Sequence, residues 1–227
     1  MAPLYKPIEG FLLIDKPAGI TSHDVVNRVR RLFGLKRVGH GGTLDPLATG
    51  LLILMLGPYT RKAADFLGAD KTYLATLSLG ITTDTEDAQG KVLQTREAEF
   101  FSPGRIEEIC GQFVGDIEQR VPAYSAVRIG GRRSYELARS GKPIPSRSRR
   151  VSVHELKVLA YRHPEVDLKV ACSKGTYVRT LCADIGESLG CGAHMKSLRR
   201  IRIGAVTIDR AVKLDEAGQK DLLSCLP

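Results

Sequence analysis

Gly39-His40-Gly41-Gly42-Thr43-Leu44-Asp45-Pro46-Leu47-Ala48-Thr49-Gly50 runs directly into the apolar stretch Leu51 to Leu56. An aspartate sits in a loop built from glycines, and the loop leads into what reads as a buried strand. Gly39, Gly41 and Gly42 lack a Cβ, so a bulky flat ligand could approach the backbone there. Pro46 fixes its own φ and drives Asp45 toward an extended conformation. A carboxylate on a loop backed by a stiff strand is how a reactive acid is presented. A plain Asp-Pro turn has the same appearance, and the loop alone leaves both readings open.

Working outward, Gly10 to Asp15 reads as a second buried strand, ending at Lys16-Pro17-Ala18-Gly19. Ser22 is the expected cap of a helix with Val25, Val26, Val29, Leu32 and Phe33 at helical spacing, stopped by Gly34. Thr60 to Leu67 reads as another helix. Tyr73, Ala75, Leu77 and Leu79 alternate with polar residues, as in a half-buried strand. Asp84 to Gly90 is an acidic turn, Lys91 to Thr95 a strand, and Ser102-Pro103 a helix start. Ala126 to Ile129 with Gly130-Gly131 predicts a hairpin arm, followed by a short helix from Ser134 to Arg139. Val151 to Tyr161 and Val166 to Cys172 are strands, and Tyr177, Leu181 and Ile185 mark a helix closed by Gly190. Leu198 to Ile208 is strand-like, and Leu214 to Leu223 is expected to be helical. Irregular alternation with hairpins predicts an α+β fold with a large mixed, mostly antiparallel sheet.

The 227 residues include 43% hydrophobic ones, enough for a real core, and carry a net charge of +9. Cysteines at 110, 172, 182, 191 and 225 are odd in number and form no CxxC pair, which predicts free thiols and a cytoplasmic location. The histidines at 23, 40, 154, 163 and 194 show no metal-ligand spacing, so no metal is expected. No apolar run approaches the length of a membrane span. Between 128 and 150 stand Arg128, Arg132, Arg133, Arg139, Lys142, Arg147, Arg149 and Arg150 against one acid, Glu136. Lys196, Arg199, Arg200 and Arg202 form a second basic cluster. Charge runs are often only solvated faces, but two of them in a basic chain point to a polyanion such as nucleic acid.

The Asp45 stretch resembles the catalytic motif of the bacterial tRNA pseudouridine-55 synthases, the TruB family. Other segments match in the same order: Leu13-Ile14-Asp15-Lys16-Pro17, Lys71-Thr72-Tyr73, Gly80 to Thr85, Val121 to Ala126, Cys172 to Thr180, and Gly190 to His194. Any one is weak; together, over roughly residues 10 to 215, they are specific.

The resemblance implies the pseudouridine synthase catalytic core and isomerisation of the T-loop uridine of tRNA, with no cofactor or metal. It implies Asp45 as nucleophile, with attack on C1′ of the sugar, attack on C6 of the base, or assistance through a glycal-like species left open. Arg179 corresponds to the family arginine that pairs with that aspartate. Read without the motif, it would start a helix and face solvent. Tyr73 corresponds to the tyrosine that stacks on the target base; read alone, it is as well explained as a packed strand aromatic. A stacked uridine must be flipped out to react. His40 sits where it could fill the vacated space, and Lys16 and Pro17 where they could shape the pocket or touch phosphate. Arg61 is a candidate phosphate contact, as are Arg132, Arg133, Arg149 and Arg150 in the basic arm. Most relatives carry a C-terminal PUA-type domain. Here a single catalytic domain, 1–227, is expected, with the arm at about 122–150 and no PUA domain. The expected partner is the T-arm stem-loop of tRNA, engaged by a monomer without guide RNA or protein partners.

Overall fold

Two all-apolar runs, Phe11–Ile14 and Leu51–Leu56, pair with each other, as strands buried on both faces do. The structure, a computed structural model, describes residues 8–125, 127–140 and 145–226, the side chains of Arg128, Arg133, Tyr135 and Arg139 excepted. Lys142 of the expected arm, and Gly141 expected to stop its helix, lie outside the described residues.

The chain begins with β1 (Gly10–Lys16), α1 (Ser22–Phe33), β2 (Val38–His40) and β3 (Thr49–Leu56). A 3-10 turn at Gly57–Lys62 leads into α2 (Ala63–Gly68), β4 (Lys71–Leu79), β5 (Ile81–Thr83) and β6 (Val92–Thr95). Then come α3 (Pro103–Gly111), β7 (Gly115–Arg120), β8 (Arg128–Ile129), β9 (Arg132–Arg133) and α4 (Ser134–Arg139). The rest is β10 (Ser148–Arg162), β11 (Glu165–Cys172), α5 (Val178–Ser188), β12 (Ala193–Ile203), β13 (Val206–Thr207) and β14 (Val212–Lys213). Hydrogen bonding orders the main sheet β14-β1-β3-β12-β4-β11-β10-β7, with β2 on β3 and β13 on β12. β1 with β14 and β3 with β12 run parallel, while β1–β3, β2–β3, β10–β11, β7–β10 and β12–β13 run antiparallel, so the expected mixed, mostly antiparallel sheet is present. Two compact units emerge, Met1–Tyr73 with Arg199–Pro227, and Leu74–Leu198.

In the first unit, alternation along β1 sorts the core. Leu12 and Ile14 pack with Val25, Val26 and Val29 of α1 and with Leu52, Leu54 and Leu56. Phe11 and Leu13 pack on the other face with Leu51, Ile53 and Met55. Three expectations change here. Thr21, not Ser22, caps α1, in a reciprocal box with Asp24, because the Ser22 hydroxyl is taken up by the backbone of Leu44. The expected helix Thr60–Leu67 is a 3-10 turn followed by α2, whose last carbonyls, Phe66 and Leu67, accept from the buried Lys71 amine, as does that of Ala69. The tail 214–223 forms no α-helix. Its apolar side chains go separately into the cores, and Leu223 exchanges backbone hydrogen bonds with Phe11 at 2.8 and 2.9 Å.

In the second unit, β4 alternates buried and half-buried residues as predicted, and β10 pairs with β11 and with β7. The strand β7, Gly-Asp-Ile-Glu-Gln-Arg, is polar enough to escape hydrophobic patterning. The hairpin arm exists as β8 and β9 around Gly130-Gly131. The strand expected over Leu198–Ile208 starts earlier, at Ala193, and stops at Ile203. Gly204, at φ 55°, turns the chain, and β13 folds back onto β12. None of the five cysteines is in a disulfide.

Candidate active site

The Asp45 loop is a pinned connection between β2 and β3. Gly41 N–H donates to the Ile53 carbonyl at 2.9 Å, and Ala48 N–H to the Asp45 carbonyl at 3.0 Å, closing a turn with Pro46 inside it. Gly19 N–H donates to the Pro46 carbonyl at 2.8 Å. The buried Ser22 hydroxyl accepts from Leu44 N–H at 2.8 Å and donates to the Leu44 carbonyl at 3.1 Å. The half-buried Asp45 side chain is thus carried on a backbone held on both sides. Gly41 and Gly50 serve this packing, while Gly39 and Gly42 have room for a Cβ. A Cβ on Gly41 would stand 2.6 Å from Cβ of Phe66, and one on Gly50 would stand 2.3 Å from the Arg200 carbonyl oxygen.

Two buried cations complete the loop's support. The Lys16 ammonium donates to the carbonyls of Pro17 (2.8 Å), Ile20 (2.6 Å) and Pro46 (3.4 Å). Its side chain is fully buried, so it shapes the loop and does not touch phosphate. Burial pushes its pKa down to about 8, against the opposing pull of the Asp45 carboxylate. Arg200, 1% exposed, donates through Nε to the Leu51 carbonyl (2.8 Å), through Nη1 to Thr43 (3.2 Å) and through Nη2 to Gly42 (3.0 Å). It also hydrogen-bonds the Tyr73 side chain. Tyr73, at the end of the buried face of this unit's part of β4, is itself 9% exposed.

His40 ends β2 and is half-buried; its Nδ1 accepts from Gly42 N–H at 3.3 Å. Burial first, then the charges of Arg200 and His23, lower its pKa, so the ring is neutral at pH 7. Pro17 and Arg61 are exposed, Arg61 on the 3-10 turn after β3.

In the second unit, Arg179 lies in the first turn of α5 and is 5% exposed, which excludes the solvent-facing alternative. Its Nη2 donates to the Tyr124 carbonyl at 2.5 Å and its Nη1 reaches that of Thr85 at 3.5 Å. Gln119 of β7 clamps the entry to α5, donating to the Tyr177 carbonyl (3.0 Å) and accepting from its N–H (2.8 Å). The Glu86 carboxylate accepts from Thr180 Oγ1 at 2.6 Å and from Arg120 at 2.5 Å. Glu86 itself holds a φ of 63° in the acidic turn.

The basic residues divide sharply. Arg132 is exposed on β9, and the side chain of Arg133 lies outside the described residues. Arg150 is exposed and 3.3 Å from Asp116. Arg149 is no free arm cation: its guanidinium lies over the Tyr177 ring, 4.9 Å from the centroid, and donates to the Gly175 carbonyl at 3.1 Å. The second cluster is largely engaged by the protein itself. Arg200 is buried, Arg199 is bidentate on Asp15 (3.0 and 2.7 Å), Lys196 pairs with Glu165, and Arg202 Nε donates to the Gly204 carbonyl at 2.5 Å. Charge counting groups Arg200 with a basic face and cannot show its burial; the glycine opposite it in the strand register, Gly50, is the signal of close approach.

Among the described residues, no group of histidine, cysteine or carboxylate side chains could hold a metal, and no helix is long and apolar enough to cross a membrane. Residues 30–178 match the model of the TruB family pseudouridylate synthase N-terminal domain, and residues 179–221 that of the tRNA pseudouridylate synthase B C-terminal domain. The chain is 47% identical over 225 residues to the tRNA pseudouridine synthase B of Dechloromonas aromatica, covering 96% of this chain and 75% of that one. It is 46% identical over 208 residues to the enzyme of the same name from Syntrophotalea carbinolica, covering 92% and 68%. Among solved structures it resembles a chain of a Cbf5-Nop10-Gar1 complex (TM-score 0.73, 32% identity, 92% of this chain and 55% of that one). It also resembles a chain of an H/ACA RNP bound to a substrate RNA containing 2′-deoxyuridine (TM-score 0.69, 29% identity, 91% and 51%). The chain therefore spans about half the length of those two structural neighbours.

Proposed function

The chain belongs to the TruB family of pseudouridylate synthases, and from that premise we propose that it isomerises uridine 55 in the T-loop of tRNA to pseudouridine. The N1–C1′ bond breaks, the base turns, and a C5–C1′ bond forms. C5 loses a proton and N1 gains one, so atoms balance without a cofactor. The observation that carries this reading is a carboxylate, Asp45, on a loop fixed by hydrogen bonds on both sides and by two buried cations. Nucleophilic catalysis needs such a fixed attack geometry.

In this proposal Asp45 is the nucleophile, Tyr73 stacks on the flipped base, and Arg179 serves the same carboxylate during the reaction. Neutral His40 braces the flipped nucleotide, and Pro17 and Arg61 border the RNA. Arg132, Arg133 and Arg150 supply phosphate contacts, while Arg149 stiffens the segment around Tyr177. Residues 1–227 act as one catalytic domain, with the arm at about 122–150. The working enzyme is a cytoplasmic monomer that needs neither metal nor cofactor, and no guide RNA or protein partner. Identity of 46–47% to proteins named tRNA pseudouridine synthase B, against 29–32% to the chains from the Cbf5-Nop10-Gar1 complex and the H/ACA RNP, supports tRNA as the substrate.

Nucleoside mass spectrometry of an unmodified tRNA transcript tests it. Wild type should yield pseudouridine at position 55 with no additive, and Asp45→Asn should yield none while still binding the transcript. Product from both proteins would remove Asp45 from its role.

A further inference from the structure

Arg200 is a cation with almost no solvent exposure, and its hydrogen bonds go to main-chain carbonyls and a phenol. Burying a charge this way is costly unless every donor is used. A guanidinium offers five N–H donors in one plane. Here three meet main-chain carbonyls: Gly42 and Thr43 before Asp45, and Leu51 after it. The Tyr73 side chain shares the same cation. The carbonyls therefore bracket the proposed nucleophile, and the fourth partner is the proposed stacking residue.

We propose that Arg200 is a positioning residue for the isomerisation, a planar clamp that holds the Asp45 loop and the Tyr73 side chain in one fixed arrangement. This rests on the reading of Asp45 as nucleophile. The back of the loop has other ties: Leu44 is held by Ser22, Pro46 by Gly19 and Lys16, and Asp45 by Ala48. The Gly42–Thr43 side depends on Arg200, apart from the 3.3 Å bond from Gly42 N–H to His40. Without the clamp, that side of the loop and the tyrosine lose their common anchor, while the surface that meets RNA is unchanged. Lysine keeps the charge but replaces the planar fork by a point donor, so it separates charge from geometry.

Arg200→Lys and Arg200→Met are the test, with folding checked by near-ultraviolet circular dichroism. Three quantities are read: the single-turnover rate at saturating tRNA transcript, the transcript Kd, and amide hydrogen exchange across residues 41–56. In both variants the rate should fall on the order of 100-fold, the cost of misplacing a reacting group by about an ångström. Kd should stay within about threefold, since no phosphate contact is lost. Amides of Gly42 to Leu44 should exchange at least about tenfold faster, with those of Leu52 to Leu56 still protected.

A folded Arg200→Lys with wild-type rate and exchange would overturn the clamp, as would parallel loss of rate and RNA affinity. If wild type itself makes no pseudouridine, the functional reading fails, and the exchange result alone then decides whether Arg200 clamps the loop. Should neither variant fold, Tyr73→Phe decides: removing the phenol should loosen Gly42–Leu44 severalfold, and unchanged exchange there would overturn the coupling.

Discussion

Two basic segments, 128–150 and 196–202, read alike in the sequence and meet different fates in the fold. In the first, Arg132 on the short strand β9 and Arg150 on β10 stand exposed. In the second, Arg200 is interior, Arg199 is locked bidentate to Asp15, and Lys196 pairs with Glu165. What separates them is the strand beneath. Arg200 lies on β12 where it reaches β3 inside the sheet, whereas Arg132 lies on the separate two-stranded hairpin β8–β9, and Arg150, though on β10 of the main sheet, has an exposed side chain. Density of positive charge is therefore no guide to phosphate contact until burial is known.

The comparison is broken if exchanging an arginine for methionine has the same effect in both segments. Arg200→Met should lose about 3 kcal/mol of stability, because three buried carbonyls lose their donor. Arg132→Met should stay within about 0.5 kcal/mol, as exposed substitutions do. Urea denaturation of the two variants side by side reads both.

Lys16 sharpens the contrast through pH. Its folded pKa, about 8, lies below the ordinary 10.5, so the charged form weakens the fold at neutral pH. That penalty is full below pH 8 and fades as pH rises from 8 to 10.5. Wild type should therefore gain roughly 3 kcal/mol relative to Lys16→Met over that window. Paired denaturation curves at pH 7.5 and 10.5 measure it, and a constant gap would show that Lys16 is not desolvated.

The smallest effect concerns RNA. Neutralising Arg132 and Arg150 together should reduce the slope of log affinity against log salt by about 1 to 2. Arg149→Ala should instead act mainly through the packing around Tyr177. A filter-binding salt series separates these, and an unchanged slope in the double variant would take the arm out of RNA binding.

Much of the fold was legible from pattern alone. Phe11–Ile14, Leu51–Leu56 and Tyr73–Leu79 announce their strands because apolar continuity and alternation report burial directly. The Asp45 loop was legible as a place where chemistry could occur, stiffened by the strand that follows it, but its other anchors were not. Its anchors, Ser22, Lys16 and Arg200, act through carbonyls 22 to 158 residues distant in some cases, and side-chain-to-backbone bonds leave no periodic trace. For the same reason the tail beyond Leu214 was misread: its helical spacing of apolar residues is real, but two separate cores take those residues up. Polar β7 was missed because its pairing to β10 is made by backbone, register by register, with only Gln119 buried.

Neighbouring residues on a strand face opposite ways, so Arg199 and Arg200 are sorted to different sides of β12 by a single step of register, opposite Thr49 and Gly50. An in-frame insertion or deletion of one codon just upstream in β12 would swap them. The salt-bridging arginine would turn inward toward carbonyls it is not placed to reach, and the clamp would turn out toward water. Substitutions along this strand should give graded phenotypes in a mutational scan. Length changes should be all-or-none, making β12 a stretch where evolution can edit letters but not spacing.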